Sequence, residues 1–187
     1  MLRHPEVRLL HTGMGPARAP IAAARALAIE ADAVAVAGVC AAVSPLLGPG
    51  DAVCASELRR AGADAVGVPA ASAVAHLLHE RGFRVHIGPL LSVERLTKPA
   101  DRRALPEDTL AVDMESAWLA DGAGGRPFVV VRVVADASDR ALIDPRMLVD
   151  GTRALATLWR ISDALVEWSR GPVVPHDRGR SRQTAER

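Results

Sequence analysis

Apolar runs of strand length alternate with helix-length amphipathic segments along most of this chain. Residues 7–11 form a short apolar run that ends at Thr12-Gly13-Met14-Gly15-Pro16. Residues 17–29 then read as a helix, with Pro20 early in it, where a missing N–H costs least. A second apolar strand is predicted over 33–37, breaking at Gly38, and a third over 52–55, after a loop holding Pro45, Gly48, Pro49 and Gly50. Residues 56–69 read as irregular, 70–81 as a helix closed by Gly82, and 83–91 as a strand in which Arg84 and His86 alternate with Phe83, Val85 and Ile87. A short buried strand over 110–112 runs into Asp113-Met114-Glu115, and residues 116–121 open a helix. Residues 128–134 are β-branched nearly throughout apart from Arg132, which predicts a central strand buried on both faces. A loop over 136–144 and a long helix over 147–168 follow, with Leu148, Leu155, Leu158, Ile161 and Leu165 near helical spacing.

Strands separated by helices predict a mostly parallel α/β sheet, whose ligands sit at the carboxyl ends of the strands. The 187 residues suit one domain, predicted over 1–170; residues 171–187 lose all apolar periodicity and read as a disordered tail. Composition sharpens this picture mainly by exclusion. With 49% hydrophobic residues and a net charge of +1, the chain has the makings of a packed core but no field to hold nucleic acid or an anionic membrane surface. No apolar run approaches the ~18 residues of a spanning helix, and the start lacks a signal-peptide core. Cys40 and Cys54 form neither a disulfide framework nor a zinc knuckle, so a reducing cytoplasm is the expected compartment.

Candidate chemistry lies at four places. Gly13-x-Gly15 sits between a strand and a helix, where it either cradles an anion or simply turns the chain; Arg18 replaces the third glycine of a dinucleotide fingerprint. His76 and His79 share a helix face but lack a third matched ligand, so they read as a solvated face and no metal is expected. In Asp113-Met114-Glu115 two carboxylates flank a methionine at a strand end. Such a carboxylate can accept hydrogen bonds from both hydroxyls of a ribose while a thioether packs on the sugar; alternatively, both acids cap the next helix. Asp136 leaves the most apolar strand, either as a partly desolvated acid able to donate a proton near neutral pH or as a turn cap.

Taken in order, these segments resemble the nucleoside phosphorylase and nucleosidase superfamily, which includes purine and uridine phosphorylases and methylthioadenosine/adenosylhomocysteine nucleosidase. Four motifs carry the resemblance over roughly residues 7–168. They are Thr12-Gly13-Met14-Gly15-Pro16-Ala17-Arg18-Ala19, Gly38-Val39-Cys40-Ala41-Ala42-Val43-Ser44-Pro45 with Gly50-Asp51 behind it, Ala111-Val112-Asp113-Met114-Glu115-Ser116, and Phe128-Val129-Val130-Val131-Arg132-Val133-Val134-Ala135-Asp136. The wording of the first and third looks most like the hopanoid-associated branch, which is implied to act on adenosylhopane. The resemblance implies a three-layer α/β/α fold with a mostly parallel mixed sheet and a homo-oligomer. It implies no cofactor, with inorganic phosphate or water as co-substrate. By the same resemblance Glu115 grips the ribose hydroxyls, Met114 packs on the sugar, Asp136 protonates purine N7, and Val39, Cys40 and Ala41 border the base with Asp113 nearby.

Three departures accompany the likeness. The family carries a phosphate loop or water-activating acid well ahead of the Thr-Gly-Met-Gly segment, whereas here only about eleven residues precede it, so the fold is expected to lack its first strand(s). Ala41 and Ala42 replace small glycines, and Val36 and Val39 stand where phosphorylases place phosphate-binding Arg and Ser/Thr. Two explanations follow: a reading frame that starts late, or a short paralogue that binds nucleoside, or assembles with a partner, without turnover. A Rossmann-like binding module is the contrasting class, supported by Gly13-x-Gly15 alone.

Overall fold

The computed structural model describes residues 4–95, 97–136 and 146–171, with the backbone alone at 99, 136 and 146–156. In chain order the elements are α1 (Ala19–Leu27), β1 (Val34–Ala42), β2 (Ala52–Arg59), β3 (Val66–Gly67), α2 (Ala71–Glu80) and β4 (Val85–Ser92). There follow α3 (Pro99–Arg102), β5 (Ala111–Asp113), α4 (Ser116–Leu119), a 3-10 turn (Ala120–Ala123), β6 (Phe128–Asp136) and α5 (Arg146–Arg170).

The Val-rich strand β6 organises the sheet. It pairs in parallel with β1 from Val34 opposite Phe128 onward, and antiparallel with β2 through Ala52 opposite Val133. Strand β2 runs parallel to β4, β4 parallel to β5, and β5 meets the end of β1 antiparallel, Ala41 opposite Val112. These five pairings close the sheet on itself, with β3 added to the free edge of β2. The sheet is therefore mixed, as expected of an α/β fold of this kind, and its antiparallel contacts at β5 and β2 are what allow closure.

Alternation along β6 separates two cores. Val129, Val131 and Val133 face outward and pack against Val74 and Leu78 of α2 and Ile161 and Leu165 of α5. Val130 and Val134 face inward, where they meet Cys40, Ala42, Val53, Ala55, Leu58, Leu90 and Ala111 from the other four strands. A third cluster of Ala19, Ala22 and Leu119 seats α1 against α4 and Val36. Both cysteines are free and buried, and burial pushes each thiol up to about 12, so both stay protonated and unreactive near neutral pH.

The helix over 70–81 ends as read: Gly82 has φ +77, and the Phe83 and Gly82 amides donate to Leu78 and His79, the paired bonds that favour glycine at this position. Three expectations are corrected. Residues 7–11 form no strand; Leu10 packs on the α1–α4 cluster while Leu9 is exposed, so the run finds a packing partner but no ladder. Gly38 does not break β1, which runs on to Ala42. Part of 56–69 is ordered, because β2 continues to Arg59 against β4 and pairs with β3. The expected loop after Asp136, the side chains of Leu148 and Leu155, and the tail beyond Gly171 lie outside the described residues.

Candidate functional site

Strand β5 pairs antiparallel with the last residues of β1, which sets Asp113-Met114-Glu115 beyond Val112 and within reach of Arg132 of β6. The two acids differ in what holds them. Asp113 is the helix cap: its carboxylate, wholly buried, accepts the amides of Glu115 at 3.3 Å and Ser116 at 3.1 Å. It also accepts the Ser92 hydroxyl at 2.5 Å and pairs with the Arg132 guanidinium at 2.7 Å. Glu115 makes no capping bond to α4. Its Oε1 accepts the Gly15 amide at 2.8 Å, and its Oε2 lies 3.6 Å from Arg132 Nη2.

The Thr12–Pro16 turn is thereby tied to this acid across a hundred residues of chain. Gly15, at φ +93, adopts a left-handed conformation that L side chains rarely enter, and this aims its amide at Glu115. The same bend lays Met114 against the turn, its Cε 3.9 Å from where a Gly15 Cβ would stand.

Arg132 is the residue the motif-by-motif reading passed over. It is 5% exposed, the one charged residue between Phe128 and Ala135 of an apolar strand, and it points into the closed sheet. A buried guanidinium is tolerated only when its donors are matched. Here Nε and Nη2 both donate to Ser116 Oγ, at 2.9 and 2.8 Å, beside the contacts to Asp113 and Glu115. A lone charge in a β-branched run was the signal available in the sequence. Ser92 and Ser116 carried none.

Gly38 makes room for this guanidinium. A Cβ there would stand 2.0 Å from Arg132 Nη1, so the strand passes Arg132 only because position 38 has no side chain. Gly38→Ala is expected to displace a guanidinium held by Asp113 and Ser116 and to destabilise the fold by about 1–3 kcal/mol. Urea unfolding measures this, and an unchanged midpoint would disprove the packing argument.

Asp136 is the last residue of β6. A register shift between Cys40 and Ala41 sets Ala41 level with Asp136 on one side and with Val112 on the other. At ~4.8 Å between neighbouring strands, the backbones of Asp136 and Val112 lie within about 10 Å. The strand ends bearing Ala41, Asp113–Glu115 and Asp136 thus converge; the side chain of Asp136 is outside the described residues. Val39 is 42% exposed and Ala41 half-buried, whereas Cys40 lies in the core enclosed by the sheet.

Behind this end, the Gly50 amide donates to Val134 and the Val134 amide to Asp51, which pins the 48–51 loop to β6. Asp51 is held in turn by the Gly48 amide at 3.0 Å and by His86 at 3.1 Å. His76 and His79 lie far from this in role: His76 is exposed and pairs with Glu80 one turn on. Among the described residues no group of three or more His, Cys, Asp or Glu is placed to hold a metal ion. Nor is any helix among them long and apolar enough to cross a membrane.

Comparison with solved structures finds the same fold repeatedly. The S-adenosylhomocysteine nucleosidase of Streptococcus pyogenes, solved with 5-methylthiotubericidin, superposes with a TM-score of 0.67 at 24% identity, over 82% of this chain and 77% of that one. The 5'-methylthioadenosine/S-adenosylhomocysteine nucleosidase of Neisseria meningitidis gives 0.67 at 22% over 84% and 78%, and the futalosine hydrolase of Helicobacter pylori gives 0.70 at 16% over 83% and 77%. Comparison with curated proteins yields no significant match. The family model described as Phosphorylase superfamily matches residues 1–161. With that match spanning most of its length and the fold agreeing, the chain belongs to the phosphorylase superfamily, whose enzymes act on nucleosides at the N-glycosidic bond.

Proposed function

We propose that this protein releases adenine from an adenine nucleoside by cleaving its N-glycosidic bond. The observation that carries the reading is the state of Glu115. The Asp113 carboxylate is wholly buried and held by four partners, whereas the Glu115 side chain, 11% exposed and beside Met114, has among the described residues one amide and one longer ion contact. A carboxylate so placed has acceptor capacity left for the two ribose hydroxyls, and the Met114 thioether offers an apolar surface to the sugar. Asp136 donates a proton to purine N7, so the base leaves neutral from an oxocarbenium-like ribosyl. Val39 and Ala41 border the base, and Cys40 and Asp113 support that wall from behind. No cofactor enters the reaction; the ribosyl carbon is taken by water or by inorganic phosphate. Adenosylhopane is the finer form of the reading, and it rests on the wording of Thr12–Pro16 and Val112–Ser116. A homo-oligomer is part of the same reading and is read by sedimentation.

Incubation of the purified chain with 5'-methylthioadenosine, with and without phosphate, tests the proposal through free adenine. Release that needs phosphate identifies a phosphorylase, and release without it a nucleosidase. Tight nucleoside binding with no adenine would leave a binding protein and overturn the proposed cleavage. Glu115→Gln keeps the size and removes the charge, and it is expected to raise KM about tenfold by weakening the grip on the diol. Unchanged KM and kcat would return Glu115 to a purely structural part.

A further inference from the structure

We propose that Ser92 is a positioning residue of this site, acting on the nucleoside only through Glu115; the proposal rests on the reading of the site given above. Ser92 ends β4 and is 2% exposed, so its hydroxyl has no access to a substrate. That hydroxyl joins three elements. It donates to Asp113 Oδ1 at 2.5 Å and accepts the Ala117 amide of α4 at 2.9 Å. Beside it, Leu91 and Ser92 of β4 pair with Val112 and Asp113 of β5. Ser92 therefore sets where Asp113 stands relative to the start of α4.

The consequence passes along one line of contacts. Asp113 offers its second oxygen to Arg132 Nη2 at 2.7 Å, and the same nitrogen lies 3.6 Å from Glu115 Oε2. The Ser116 hydroxyl fixes the guanidinium from the other side. Among the described residues Glu115 has two anchors, the Gly15 amide and Arg132, and the second depends on where Asp113 is held. Without the Ser92 hydroxyl, one Asp113 oxygen loses its donor, the Ala117 amide loses its acceptor, and both deviations reach Arg132 and then the carboxylate. Helix α4 spans only Ser116–Leu119, which is too short to hold its own start rigidly.

A double-mutant cycle on adenine release tests this, with kcat and KM measured for wild type, Ser92→Ala, Glu115→Gln and the double variant. Ser92→Ala is expected to lower kcat/KM about tenfold, mostly through KM, in a protein that remains folded by circular dichroism. Ser92→Thr, which keeps the hydroxyl, is expected to restore most of the loss. In the Glu115→Gln background, Ser92→Ala is expected to add less than about twofold, because its route to the substrate is already cut. Should Ser92→Ala fail to fold, Ser92→Cys replaces it in the cycle, with the same shape and a weaker donor. Losses that multiply in the double variant, or a Ser92→Ala enzyme within about twofold of wild type, overturn the proposal while leaving the cleavage reading intact. If wild type binds nucleoside without turnover, the same cycle is run on Kd by calorimetry. A wild-type chain that neither cleaves nor binds the nucleoside overturns the cleavage reading and the role of Ser92 with it.

Discussion

Asp136→Asn is expected to reduce adenine release by a factor of about 10² or more while the protein stays folded. The substitution keeps the shape and hydrogen-bonding capacity of the side chain but removes the transferable proton. Departure of adenine as an anion is the step an acid at N7 avoids, so the loss falls on kcat more than on KM. The position suits the role. Asp136 ends the strand whose inward and outward valines are all buried, and the register shift in β1 brings Ala41 level with it. Single-turnover assays with saturating nucleoside separate this step from binding. An Asp136→Asn enzyme as fast as wild type would remove Asp136 from the chemistry and return it to a turn cap.

Arg132→Met is expected to produce the largest loss of stability, about 3–5 kcal/mol, because it leaves the buried Asp113 carboxylate without its cation. Asp113 is wholly buried and Arg132 nearly so, and solvent cannot take over for either. Methionine fills a similar volume, so the penalty reports the uncompensated charge rather than a void. The second half of the prediction gives it its edge. Arg132→Met combined with Asp113→Asn is expected to recover much of the loss, since a neutral amide can still accept from Ser92 and the α4 amides. Urea unfolding of the three variants and wild type provides the cycle. Equal losses in the single and double variants would show that Arg132 contributes mainly packing.

Much of the fold was legible because period and punctuation are local properties. The outward valines of β6, the spacing of Ala71, Val74, Ala75 and Leu78 along α2, and the bend at Gly82 are each visible in a window of a few residues. The errors lie where pairing across the chain overrides local signs. A glycine in a strand usually weakens it, yet Gly38 lies within a nine-residue strand because Arg132, almost a hundred residues later, fills the space its side chain would occupy. Residues 7–11 have the apolar character of a strand, but only Leu10 packs on a core cluster while Leu9 is exposed, because apolar character does not supply a neighbouring edge free to pair.

The site divides the same way. Asp113, Glu115 and Asp136 stood out because charges at the ends of buried strands are conspicuous in a sequence, and the four motifs in order carried the resemblance to the family. Composition and charge by themselves argued against a nucleic-acid module. The sequence could not say which of two neighbouring acids is spent on the helix and which is turned toward the converging strand ends. That choice depends on the Gly15 amide, on Ser92 at the end of β4 and on Arg132 inside the closed sheet, three groups drawn together from distant parts of the chain. A residue's type is written locally, whereas the partners that satisfy its charge are supplied by the folded neighbourhood; only the tertiary structure could separate Asp113, capping α4 and paired with Arg132, from Glu115, tied to the Gly15 amide.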